Sequence, residues 1–263
     1  MNDFFENVRE ARFAGSFYPQ DANELKRDIL EYVGEGKKLT KSIPRIIIVP
    51  HAGYFFSGKV AGKVYKQTEG YNYKNIYILG SAHTQYVKNI GLCTCPSWWT
   101  PLGVASGNVG KINELSKSSG FSIKNEAFVD EHSIEVQLPF VSILHPKSKI
   151  IPMLSSDLED AEGVVSTLIE TIKNDGLLVI STDLSHYYPS KIAQKIDQNT
   201  INKILNLESN FTEEAACGLV GIEIAILIAK ANKLKPILVE YKHSGMITGE
   251  MGGVVGYVGI VFK

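Results

Sequence analysis

Three histidines stand where an apolar, strand-like run gives way to a turn of small residues: RIIIVPHAG (His51), NIYILGSAH (His83) and LLVISTDLSH (His186). An open α/β sheet carries its chemistry just beyond the carboxyl ends of its strands, where loops aim side chains into a shared crevice. Three imidazoles delivered from distant segments in this way point to one metal-capable pocket. His51 and His83 are the first candidates for ligands. Imidazole suits borderline divalent metals, and each of the two sits beside Gly or Ala, which lets backbone approach closely. His186 follows Asp183 by three residues. A carboxylate beside an imidazole fixes its tautomer and raises its basicity, so this pair reads as a general base with its orienting partner. A Ser-His-Asp hydrolase is set aside, because Ser185 is adjacent to His186 and the chain has no G-x-S-x-G elbow. Residues 130–135 put three carboxylates and His132 at the start of a helix. The acids suit the helix dipole, and His132 with Glu135 at i, i+3 is a candidate for the pocket. His243, past a later strand, is a further candidate, whereas His145 before Pro146 reads as a surface turn residue.

Strands and helices in alternation must hold these positions. Residues 22–33 carry helical spacing, with Leu25, Ile29 and Val33 on one face behind the cap Asp21. Buried strands are expected at 45–50, 75–79, 149–154 and 177–182, where continuous apolar runs end in turn residues, as in strands covered on both faces. Further strands are expected at 89–94, 236–241 and 254–262. Helices are expected after Ser57 through VAGKVYKQ and at 108–118, 130–144, 158–174, 189–207 and 212–231. Pro139 kinks or ends the helix at 130–144. Trp98 and Trp99 read as an aromatic loop that covers a core edge or rims a pocket. No repeat, low-complexity tract or linker interrupts the pattern. The expectation is a single α/β domain over residues 1–263, with a mixed central sheet flanked by helices.

Composition narrows the partners. The chain has 263 residues, 44% hydrophobic and 21% charged, with a formal net charge of −1. That balance lacks the basic face that nucleic-acid or membrane-surface binding normally requires, so neither partner is expected. The opening MNDFFENVREARF has no apolar segment of signal-peptide length. The longest apolar run, GLVGIEIAILIAKAN, is broken by Glu223 and is short for a bilayer, so it reads as a buried helix. Three cysteines, Cys93, Cys95 and Cys217, are an odd, low number that fits a reducing cytoplasm. Cys93 and Cys95 are two apart in a strand-like run and should pack on one side.

The residues also form a recognisable set. Ala14-Gly15-Ser16-Phe17-Tyr18-Pro19, Pro50-His51-Ala52-Gly53-Tyr54, Gly80-Ser81-Ala82-His83, Thr100-Pro101-Leu102-Gly103, the run from Glu131 to Phe140, and Ser181-Thr182-Asp183-Leu184-Ser185-His186 together resemble the Memo family. That family is named for a mediator of cell motility, and its prokaryotic members are also called AmmeMemoRadiSam system protein B. The resemblance runs in order from near the N-terminus to the final strand. It implies a fold like that of the class III extradiol ring-cleaving dioxygenases, whose active sites hold non-heme iron. It further implies a metal site of two histidines, matching His51 and His83, plus a cysteine late in the chain, with Asp183 and His186 matching a nearby aspartate and histidine. The eukaryotic member is described both as a metal-binding redox protein and as a scaffold for phosphotyrosine peptides of a receptor. Sought after Tyr241-Lys242-His243-Ser244, the cysteine position falls near Met246 or Ile247, and no cysteine follows Cys217. Glu250 is the nearest carboxylate and becomes the expected third ligand, with His243 as its rival; it would restore a set of two histidines and one carboxylate. The expectation is a divalent metal, Fe(II) first and copper or zinc as alternatives, on His51, His83 and Glu250. His186, Asp183 and His132 would supply the acid/base groups of a metal-dependent oxidoreductase acting on a small molecule. The alternative is a non-catalytic module that holds a peptide or protein partner in the same crevice.

Overall fold

The structure, a computed structural model, describes residues 8–173 and 176–263. Helix α1 (Ala22–Gly34) starts where expected: Asp21 accepts from the backbone of Asn23 and Glu24, and Leu25, Ile29 and Val33 are buried. The three-isoleucine run forms β1 (Ile46–Val49), buried throughout, and α2 (Tyr54–Tyr65) follows almost at once. Next come β2 (Asn75–Ser81), β3 (Ile90–Leu92), and a hairpin of β4 (Ser97–Thr100) and β5 (Gly103–Ser106). Then follow α3 (Val109–Leu115), β6 (Phe121–Ile123), α4 (His132–Glu135), α5 (Leu138–Leu144) and β7 (Lys149–Ser155). The second half holds α6 (Ala161–Ile172), β8 (Gly176–Ser181), β9 (His186–Tyr188), α7 (Ser190–Leu205) and α8 (Leu219–Asn232). It closes with β10 (Pro236–His243), α9 (Gly245–Thr248) and β11 (Val254–Phe262).

The architecture is mixed α/β, with a central mixed sheet flanked by helices. Among the described residues the sheet order is β10-β11-β1-β8-β2-β7-β3-β6, with β9 paired to β11. Strands β1, β8, β2 and β7 run parallel; β11 and β3 flank them antiparallel, and β10 pairs antiparallel with β11 and so runs in the direction of the central four. Residues alternate between two cores, one on each face. Ile47, Val49, Ile76, Ile78, Leu177 and Val179 enter one; Ile46, Ile48, Tyr77, Leu79, Leu178 and Ile180 enter the other. Each such aliphatic side chain contributes about 1.5–3 kcal/mol on burial, which is why continuous apolar runs mark these strands.

Several expectations are corrected. The helix expected at 130–144 is two, because Pro139 in the first turn of α5 cannot extend the preceding turn, and the chain breaks at Val136 and Gln137. Trp98 and Trp99 are not a loop but part of β4. Trp98 is fully buried under the Arg9 guanidinium, 4.6 Å from its ring centroid, and neither tryptophan lines the crevice. The helix expected at 212–231 begins only at Leu219, which leaves Cys217 on non-helical backbone ahead of it. The helix expected at 158–174 is α6; its end at 174 lies outside the described residues, as do residues 1–7 of the opening segment. His145 is buried rather than on the surface. Thr68 Oγ1 donates to the Tyr65 carbonyl, so His145 Nε2–H donates to Thr68 Oγ1 at 2.8 Å. Cys93 and Cys95 pack into one core as expected. Among the described residues no helix is long and apolar enough to cross a membrane.

Candidate metal centre

Three neighbouring parallel strands deliver the centre. Ser181, the last residue of β8, pairs with Val49 of β1 on one side and Gly80 of β2 on the other. The segments that leave those strands, Pro50-His51, Thr182-Asp183 and Ala82-His83, therefore emerge side by side at the carboxyl edge. Asp183 bridges two of them: its Oδ1 accepts from the backbone N–H of His51 at 2.8 Å. From a fourth direction, α4 begins at His132, with Glu131 as its N-cap accepting from Ser133 N–H.

The structure brings His51, His83 and His132 together. One ring nitrogen from each lies within 4.8 Å of the others. His83 and His132 stack at 4.7 Å between centroids, and His51 stands edge-on to both. His51 is buried, His132 half-buried and His83 the most exposed.

Hydrogen bonds around the rings assign their protons. Ser181 has one hydroxyl proton and gives it to the Ser133 carbonyl at 2.6 Å; its oxygen accepts from Gln137 Nε2 at 2.9 Å. Its contact with His51 Nδ1 at 3.2 Å must then run from Nδ1–H to the serine oxygen. Glu131 Oε1, a pure acceptor, likewise takes Nδ1–H of His83 at 2.9 Å, while Oε2 accepts from the His83 backbone N–H at 2.7 Å. Both histidines thus present Nε2 inward. An acceptor behind a histidine nitrogen is the support that metal-bound imidazoles ordinarily have. The same Glu131 Oε1 lies 3.4 Å from His132 Nδ1.

A sulfur completes the cluster. Cys217 Sγ is 3.3 Å from His51 Nε2 and is further held by Asp183 N–H at 3.4 Å. Burial opposes charge on His51, His83, Glu131 and Cys217, yet their mutual attraction outweighs it. Burial disfavours imidazolium at His51, but Cys217 and Asp183 raise it to about 9. His83, against the same opposition, is raised to about 10 by hydrogen bonds to Cys217 and Glu131. The Cys217 thiol is held well below its ordinary value by the two imidazoles despite its burial. Glu131 is drawn down to about 2 by His83 in spite of burial. His132 goes the other way, down to about 4, through burial and repulsion from His51. Burial pushes Asp183 up. Imidazole nitrogens with a thiolate make a donor set for zinc, copper or iron, and the residues present fit such an ion.

Outside the histidines lies a cavity of about 430 Å³, into which His132, Asp183, His186 and Glu250 face. His186, at the start of β9, stands on this outer side rather than in the imidazole cluster, and Asp183 spans the two. Glu250 is exposed on the rim, outside the group whose ligand atoms converge. Glu135 does not face the cavity: it is fully buried against Arg9 Nη1 at 2.5 Å, Tyr18 OH at 2.7 Å and Phe13 N–H at 2.8 Å. His243 is turned to α7, 3.0 Å from Gln194 Nε2. Sequence reasoning missed Cys217, Ser181, Gln137 and the bracing role of Glu131. Cys217-Gly218 directly before an apolar helical run was the one signal available.

Known proteins resemble the chain over nearly its whole length. The family model for a Memo-like protein matches residues 9–261. A MEMO1 family protein of Aquifex aeolicus (strain VF5) is 36% identical over 268 residues, which cover 97% of this chain and 99% of that relative. MEMO1 family proteins of Thermoplasma volcanium and Archaeoglobus fulgidus are each 32% identical, covering 97% of this chain and 98% and 100% of theirs. Among solved structures, the crystal structure of the uncharacterized protein JW3007 from Escherichia coli K12 aligns with a TM-score of 0.51. It covers 84% of this chain and 100% of that one at 13% identity, a likeness of fold alone.

Proposed function

This chain belongs to the Memo-like family, and we propose that its crevice binds a divalent metal ion and performs oxidative or redox chemistry on a small molecule held in the outer cavity. The observation that carries this reading is the convergence of three imidazoles, two of them braced through Nδ1 so that Nε2 points at one place. His51 and His83 are the principal ligands, with Cys217 and His132 beside them to complete the set. Iron, or copper in its place, would supply a Lewis-acid and one-electron redox centre there. Asp183 and His186 stand on the substrate side, where they can hold or move a proton, and Glu250 faces the same space from the rim. This arrangement is compatible with the dioxygenase-like chemistry that the family resemblance implies.

Elemental mass spectrometry of anaerobically purified protein tests the metal. About one iron or copper per chain is expected, and a His51→Ala/His83→Ala variant should lose it. No metal in the parent protein, even after anaerobic loading with Fe(II), overturns the reading. A second reading draws on exposed apolar side chains in the segments that line the cavity: Tyr187 is 80% exposed, and Phe55, next to Phe56, is 71% exposed. In that reading a peptide or protein partner seats over the crevice without chemistry. Saturable partner binding by a protein that takes up no metal would favour it.

A further inference from the structure

The outer cavity has a composition of its own. Four aromatic residues line it, Phe17, Phe56, Tyr187 and Tyr257, drawn from the N-terminal segment, α2, β9 and β11. Two carboxylates, Asp183 and Glu250, face the same space, and among the described residues no Lys or Arg lines it. An aromatic ring carries negative potential on its face and attracts a cation whose hydration is weak. A carboxylate at the rim adds a full negative charge. His132 and His186 also line the cavity, so the contrast belongs to the outer rim: there a carboxylate or phosphate meets Glu250 and finds no guanidinium or ammonium to pair with. About 430 Å³ is the size of a small organic molecule.

Two further features fix the Phe17 ring and the backbone that carries Tyr187. Phe17 leans on His132, with 4.8 Å between ring centroids, so the aromatic wall continues onto the metal centre. Its carbonyl accepts from Tyr54 N–H at 2.7 Å, which fixes the segment to the start of α2. Tyr187 adopts φ 63°, a left-handed conformation disfavoured for a bulky residue, and does so within a short strand pinned to β11. Its ring stays 80% exposed at the mouth although the backbone around it is fixed.

We propose that this cavity recognises an organic cation, an alkylated ammonium group on a short apolar body, with Phe56 and Tyr187 giving it aromatic walls and Glu250 its counter-charge. The inference deepens the reading above by naming the substrate class of the same crevice, and it rests on that reading only for which end of the ligand faces the centre.

The test compares choline with 3,3-dimethylbutan-1-ol, which has the same shape with carbon in place of nitrogen. Binding of both is measured by calorimetry, backed by saturation-transfer NMR, on the full chain. Choline should bind roughly threefold to thirtyfold more tightly than the neutral isostere, the range of cation–aromatic and single-carboxylate contacts. Glu250→Gln, at an exposed position, should weaken choline by a similar factor and leave the isostere unchanged, and Tyr187→Ala should weaken choline more than the isostere, with circular dichroism unaltered in both. A loss in either variant supports the pocket. Equal affinity for the two probes, no binding of either, or choline binding indifferent to both variants overturns it. Repeating the titration on His51→Ala/His83→Ala separates the two readings. Choline binding retained in that variant upholds the cation pocket whatever the metal analysis gives, and binding lost there overturns it as a site in its own right.

Discussion

Glu131 serves four groups at once: the backbone N–H of His83 and of Ser133, Nδ1–H of His83 and, at longer range, Nδ1 of His132. One carboxylate therefore fixes the tautomer of His83, the start of α4 and the spacing of two stacked rings. Glu131→Gln keeps the shape but turns half the acceptor into a donor. Metal affinity should fall about 10- to 100-fold, the usual consequence of losing a carboxylate behind a ligating histidine, while far-ultraviolet circular dichroism stays the same. An unchanged affinity in a metal titration would count against Glu131 as the brace. At this scale the sequence was partly legible. His51 and His83 stand out because apolar strands lead straight to them. Cys217 does not, because a cysteine set in what reads as one continuous helix over 212–231 looks like packing; only the late start of α8 at Leu219 frees its sulfur to face the histidines. Glu131 was hidden by the ordinary preference of acids for helix starts, which explains such a residue without a site.

At the level of elements, the segment around Arg9 is tied to α4 by buried charge. Arg9 donates to Glu135, to the Phe128 carbonyl at 2.9 Å and to the Glu131 carbonyl at 2.9 Å, and Glu135 also receives Tyr18 OH. Both members of the pair are essentially inaccessible, so removing one strands the other without water. Arg9→Met should destabilise by about 3–5 kcal/mol, and Arg9→Met/Glu135→Leu by less than Arg9→Met alone, as read from urea unfolding midpoints at constant slope. Additive losses in the double variant would mean that the two residues act separately. Five elements were legible for a physical reason: α1 buries one helical face, and β1, β2, β7 and β8 each bury a continuous apolar run. The hairpin of β4 and β5, and the short strands β6 and β9, were not. Their three or four residues lack a continuous apolar run such as that of β1, and what lies beside them holds them in place.

For the whole molecule, acid is the informative stress. Burial pushes His145 down to about 4, against 6.5 in an unfolded chain. As pH falls below about 6.5 the unfolded state takes up this proton first, so the contribution of neutral His145 is complete above 6.5 and is lost progressively down to about 4. A His145→Gln variant, which keeps a donor for Thr68, should therefore show a shallower loss of unfolding free energy over that interval, measured by urea titration at successive pH values. Parallel slopes for the two proteins would show that His145 is not the group responsible. The order of the central strands has a different consequence. The two strands that lead to His51 and His83 are not neighbours; β8, made long after both, lies between them. Adjacent strands are about 4.8 Å apart, so its insertion sets the gap across which the histidines face each other. While the chain is being made, the two imidazoles exist without a shared register. They acquire one only when β8 slots in, and the turn ahead of α8 then brings the sulfur of Cys217. A nascent chain cut short of β8 or of Cys217 has no complete donor set, so uptake of the proposed ion would report that the chain has been made past Cys217 and that β8 has entered between β1 and β2.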